Sequence, residues 1–136
     1  MKPYRHTCQL YHISESNLNG KTLRPRIPEN RMSGEDSRHV RVCFSTNITG
    51  CIRAINPDVL RYDDIFYVMV PFDYSKLSVY KPSEKEVPDV KETREKWVRS
   101  KVKLKCIGRI KVYRDNNHFT FADWDSFRFR WLEKYY

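Results

Sequence analysis

The chain has 136 residues, 40% of them hydrophobic and 14% aromatic, which fits one globular domain and excludes a disordered chain. The longest apolar run, Ile65 to Pro71, is far too short to span a membrane. The net charge is +9 and uneven: residues 1–55 and 93–136 are basic, and residues 56–92 are acidic, which points to an anionic partner.

The opening Met1-Lys2-Pro3-Tyr4-Arg5-His6 leads into polar sequence with no apolar leader core, so a cytoplasmic protein without a signal peptide or membrane anchor is expected. Cys8 to Ser14 reads as a short strand. Leu10, His12 and Ser14 share one face, and Tyr11 and Ile13 the other. Asn17-Leu18-Asn19-Gly20 is a turn. Pro25 and Pro28 exclude helix and central strand, so Leu23 to Pro28 is an extended loop carrying Arg24 and Arg26. Glu29 to Arg38 is polar and is expected to be mobile.

Val40 to Phe44 is a second strand. Ser45 or Thr46 then caps a helix whose Ile48, Cys51, Ile52 and Ile55 fall on one face, and Asn56-Pro57 ends it. Asp58 to Tyr62 is a turn or short helix, and Ile65 to Val70 is a buried strand. Phe72 to Tyr80 is irregular, and Lys81 to Lys91, with Pro82 and Pro88, is a loop. From Lys96 to Tyr113 the chain is rich in strand. Val102, Leu104 and Cys106 alternate with Lys101, Lys103 and Lys105, the alternation slips at Cys106-Ile107-Gly108, and a bulge is expected there. Asp115-Asn116-Asn117 is a turn. Beyond it, Phe127, Phe129 and Trp131 alternate like a strand, while Trp124, Phe127, Trp131, Leu132 and Tyr135 also make a helical stripe; helix is the expectation. The four cysteines form no C-x-x-C pair, and free thiols are expected rather than disulfides or a metal site. The fold class is α+β: a single domain, residues 1–136, of mainly antiparallel sheets with a few short helices.

Four groups of residues can carry chemistry. His12 and Ser14 point the same way and can hydrogen-bond a ribose or an amide; the alternative is a histidine satisfied within the core. Phe44-Ser45-Thr46 ends a strand in two hydroxyls at a helix start, which serves either a ligand or a helix cap. Glu95, among Arg94, Lys96 and Arg99, is either a charge partner or a carboxylate that steadies a developing sugar cation. The row Lys101, Lys103 and Lys105 tracks a phosphate backbone or guards a strand edge; the guarded edge is the expectation.

Taken together, Tyr11-His12-Ile13-Ser14, Val42-Cys43-Phe44-Ser45-Thr46, and Glu95 with Trp97-Val98 resemble the three ordered motifs of the ADP-ribosyltransferase superfamily. The early histidine is similar to the diphtheria-toxin-like and nucleic-acid-directed branches. The resemblance spans residues 10 to 112 and implies NAD as substrate, with ADP-ribosyl transfer to a protein or nucleic-acid acceptor, as in a toxin or counter-defence effector. It implies that His12 and Glu95 are catalytic and that His12, Ser14, Phe44, Ser45 and Thr46 bind NAD, with Arg24 and Arg26 at its pyrophosphate. Phe44, Tyr67 and Tyr74 are candidates for a stacking ring. Position 93 is Thr, where branches of known acceptor carry Glu or Gln. An RNA 2′-phosphotransferase-like enzyme and a non-catalytic basic module binding nucleic acid or an acidic protein are the alternatives.

Overall fold

The computed structural model describes residues 2–3, 9–29, 31–55, 61, 64–115, 118–123 and 131–135. Among the described residues, ten strands and two short helices follow in the order β1 (Lys2–Pro3), β2 (His12–Ser14), β3 (Thr22–Leu23), β4 (Val42–Ser45), α1 (Ile48–Arg53), β5 (Ile65–Pro71), β6 (Val79–Lys81), α2 (Val90–Thr93), β7 (Glu95–Val98), β8 (Val102–Asp115), β9 (His118–Asp123) and β10 (Trp131–Tyr135). They form two antiparallel sheets, so the α+β expectation holds. The smaller runs β1-β6-β7-β4; the larger runs β10-β9-β8-β5-β2, with β3 also paired to β8. No helix among the described residues is long and apolar enough to cross a membrane.

β5 feeds a core on each face of the large sheet, which explains its unbroken apolar run. Met69 packs in a core shared by the two sheets, with Leu10, Val42, Phe44, Val79, Val98, Val102 and Leu104. Phe66 and Val68 point the other way, into a second core with Ile52 of α1, Ile110 and Val112. A single long strand, β8, feeds both cores from even-numbered positions. That requires one extra residue in between, because alternation would otherwise keep all even positions on one face. The bulge supplies it: Val68 pairs with Gly108 and Met69 with Cys106, leaving Ile107 unpaired.

The sheets are joined at one corner. Tyr11 and Ser45 exchange reciprocal backbone hydrogen bonds of 2.8 Å, which ties the start of β2 to the end of β4. α1 begins three residues later. Its cap is Asn47, not Ser45 or Thr46: the Asn47 side chain accepts from the Gly50 N–H at 2.6 Å. Ser45 is drawn away because its hydroxyl donates to the Thr93 carbonyl.

Other expectations change. Val79–Lys81 is not irregular chain or loop but β6, held by pairing with β7, and the end of the expected loop at Lys91 lies in α2. Trp131–Tyr135 is a strand and not a helix, because its backbone pairs with β9. Residues 35–36 are anchored, because Glu35 and Asp36 both bind Arg41. The strand that bears Lys103 and Lys105, with Lys101 just before it, is no edge at its start, since residues 22–23 pair with it on one side and β5 on the other. The expected helix end at Asn56-Pro57, the turns at residues 58–62 and 116–117, Cys8, Trp124 and Phe127 lie wholly or partly outside the described residues.

Candidate functional site

The corner where the sheets meet opens into a cavity of about 200 Å³. His12 and Ile13 of β2, Cys43, Phe44 and Ser45 of β4, Gly50 and Cys51 of α1, and Thr93 and Glu95 around the start of β7 line it, with Ala54 and Ile55. Three sequence-distant stretches converge because of two pairings: Tyr11 with Ser45, and Ser45 with Glu95 across β4 and β7.

His12 is fixed across the corner by β4 of the other sheet. Its Nδ1 lies 2.8 Å from the Cys43 carbonyl oxygen. A carbonyl only accepts, so Nδ1 carries the hydrogen and Nε2 is left as an acceptor. Burial lowers the His12 pKa; the Cys43 carbonyl opposes this, and the charge of Arg26 adds to it. The imidazole is therefore neutral. The Phe44 ring stands 5.6 Å from it, tilted by 54°.

Glu95 opens β7 and is 9% exposed. Its Oε2 accepts from the Trp97 indole N–H at 2.7 Å, as positions two apart on a strand allow. Burial pushes its pKa up to about 7, helped by Glu35 and Asp89 and opposed by Trp97 and Arg41. Behind Trp97 stands Arg41, 1% exposed, with its guanidinium 4.2 Å from the indole centroid. Arg41 is held by Glu35 at 2.7 Å and Asp36 at 3.1 Å. The carboxyl thus rests on an indole that rests on a buried ion-pair cluster, a rigid support for a group facing a cavity.

The floor is tight. The Ser45 hydroxyl donates to the Thr93 carbonyl at 2.6 Å, and a Cβ on Gly50 would fall onto both groups. Arg94, which caps α2, has φ of 53°, a left-handed conformation that costs a non-glycine residue about 1–2 kcal/mol. The Thr93 hydroxyl is buried and finds no hydrogen-bond partner among the described residues. The thiols of Cys43 and Cys51 are pushed up to about 12 by burial, so neither serves as a nucleophile near neutral pH.

Of the residues singled out from sequence, His12, Phe44, Ser45 and Glu95 come together at the cavity. Ser14, Thr46, Arg24 and Arg26 do not line it. The Ser14 hydroxyl accepts from the Ser16 N–H in a local turn. Arg24 and Arg26 are both exposed, though the charge of Arg26 is felt at His12. Tyr67 packs on the shared core, and the Tyr74 hydroxyl accepts from the Leu10 N–H at 3.0 Å, which leaves Phe44 as the ring at the cavity. Sequence reading missed Thr93, Gly50 and the Arg41–Trp97 support. One signal was available for the last: an arginine at an apolar strand start, between Val40 and Val42. No family model, curated protein or solved structure matches the chain.

Proposed function

We propose that the cavity holds the nicotinamide–ribose end of NAD and that the protein transfers the ADP-ribosyl group to a protein or nucleic-acid acceptor. The observation that carries this reading is the meeting of His12, Ser45 and Glu95, from three separate stretches, around one cavity. The residues suit the ligand. The cavity, at about 200 Å³, is smaller than a site for a whole ligand, so it suits one end of a dinucleotide with the rest lying outside. The neutral His12 offers Nε2 to a ribose hydroxyl, and the buried Thr93 hydroxyl, without a partner among the described residues, becomes available to the ligand only if the wall opens. Phe44 supplies an apolar wall for the ring.

NAD supplies a glycosidic C1′–N bond whose breaking leaves positive charge on the ribose. Glu95, when ionised, accepts from a ribose hydroxyl and places its negative charge beside that developing cation. A cationic ring beside Glu95 favours the ionised form and offsets part of the burial effect. Trp97 and Arg41 act through Glu95 by fixing its orientation. His12 orients the sugar and takes no proton.

The test is a calorimetric titration with NAD, together with nicotinamide release, on the wild-type protein and Glu95→Ala. Binding by both proteins and release by the wild type alone are expected. No heat and no protection from thermal unfolding at millimolar NAD would overturn the reading.

A further inference from the structure

A second surface lies on the first half of β8 and on Lys101 just before it. Lys101, Lys103, Lys105 and Ile107 alternate with the buried Val102 and Leu104 and point away from the shared core. This stretch is paired on both sides: Thr22 and Leu23 lie opposite Lys103 and Val102, and Val70 and Pro71 opposite Lys105 and Leu104. The Phe72 N–H also donates to the Lys103 carbonyl at 2.8 Å. Among the described residues the strand is paired on both sides around Lys103, so guarding an open edge does not account for that lysine. Two apolar side chains stand in the same field. Phe72 is 62% exposed and Ile107, turned outward at the bulge, is 46% exposed. The Lys103 ammonium sits 5.1 Å from the Phe72 ring centroid and props one face of it. Among the described residues, no carboxylate lies within ion-pair distance of these three ammonium groups.

We propose that this face binds single-stranded nucleic acid, with the lysines on successive phosphates and a base stacked on Phe72. Alternate side chains on a strand are about 6.7 Å apart, so the row from Lys101 to Ile107 covers about 20 Å, room for a few nucleotides of an extended strand. A duplex offers phosphates but no free base face for an exposed ring. An acidic peptide offers charge but does not pair a flat ring with every charged unit. A single strand offers both. This surface stands apart from the cavity residues, and the inference holds whatever the chemistry of the cavity.

The experiment is fluorescence anisotropy with short labelled oligothymidylate and oligouridylate across a salt series, without NAD. Phe72→Ala is expected to weaken binding roughly tenfold. Changing Lys101, Lys103 and Lys105 together to Gln is expected to flatten the log–log salt slope by about 2, at about 0.7 per phosphate contact. Lys85→Gln, an exposed lysine in the loop after β6, is expected to change neither. These positions are exposed, so the variants keep the fold, which circular dichroism checks. Wild-type affinity in both Phe72→Ala and the lysine variant overturns the proposal. Equal competition by a duplex overturns it too, and equal competition by polyglutamate assigns the face to an acidic protein instead.

Discussion

Gly50→Ala sets two effects of opposite sign against each other. Gly50 sits in the first turn of α1, where helix propensity alone favours alanine by about 1 kcal/mol. The surroundings forbid it. A Cβ at this position would fall onto the Thr93 carbonyl oxygen and the Ser45 hydroxyl, and would lie 2.9 Å from the Thr93 carbonyl carbon. Two of these three atoms are backbone and cannot swing aside, and the third is held in a 2.6 Å hydrogen bond to the first. Overpacking of this kind costs about 1–3 kcal/mol. Prising apart the buried Ser45–Thr93 hydrogen bond adds about 1 kcal/mol. With the propensity gain subtracted, the net loss is about 1–3 kcal/mol, or a fall in Tm on the order of 3–10 °C. Urea unfolding followed by circular dichroism measures it, with the midpoint moving and the slope unchanged. A variant as stable as the wild type, or more stable, would refute the close approach of α1 to the end of α2 that shapes the cavity floor.

Three further outcomes are expected. For Glu95 the folded pKa, about 7, lies above the ordinary value of 4.5, so its contribution to stability is fully present below about pH 4.5 and is lost as pH rises through 7. The wild type is therefore expected to lose stability, on the order of 3 kcal/mol, relative to Glu95→Gln between pH 4.5 and 8; parallel pH profiles in urea unfolding would contradict this. Arg41→Leu leaves the Glu35 and Asp36 carboxylates without the cation they surround, at a cost of about 3–5 kcal/mol, and a thermal melt near that of the wild type would rule out the cluster as a support. Thr93→Val removes a buried hydroxyl that has no partner among the described residues, so it is expected to raise stability by about 1 kcal/mol while weakening NAD binding. A gain in stability with no change in NAD affinity would assign Thr93 no ligand role.

Strand positions were legible where period-two patterning and burial agreed. The slip at Cys106-Ile107-Gly108 marked the bulge because alternation cannot change face without an extra residue. What was not legible depended on contacts between distant stretches. Ser45 and Asn47 are both good caps by residue type, and the choice was made by the Thr93 carbonyl, 48 residues away. The polar stretch around Glu35 and Asp36 reads as a mobile loop until Arg41 is seen beneath it. The lysine row reads as an edge until residues 22–23 are paired beside it, a contact that spans some eighty residues of chain and leaves no local trace. The same holds for the cavity. His12, Ser45 and Glu95 each have an ordinary local explanation, and only the pairing of β4 with β7 and the Tyr11–Ser45 bridge brings them to one place.

Three consecutive residues at that place each carry a local cost. Thr93 buries a hydroxyl with no partner among the described residues, Arg94 holds a left-handed backbone, and Glu95 buries a carboxyl whose pKa rises. A valine, a glycine and a glutamine would relieve them one by one without disturbing β7. Costs of this size, each about 1 kcal/mol or more, are not needed to hold the fold together, because Trp97 and Val98 are fully buried and anchor the strand. They fall together only where the chain turns from α2 into β7 at the cavity wall. The turn at Arg94 sets the start of the strand, and with it the side on which Glu95 emerges. The cavity wall is thus built from groups that weaken the protein locally, and under the proposed function Glu95 gains a partner there when the sugar end of NAD, with its hydroxyls and positive charge, enters.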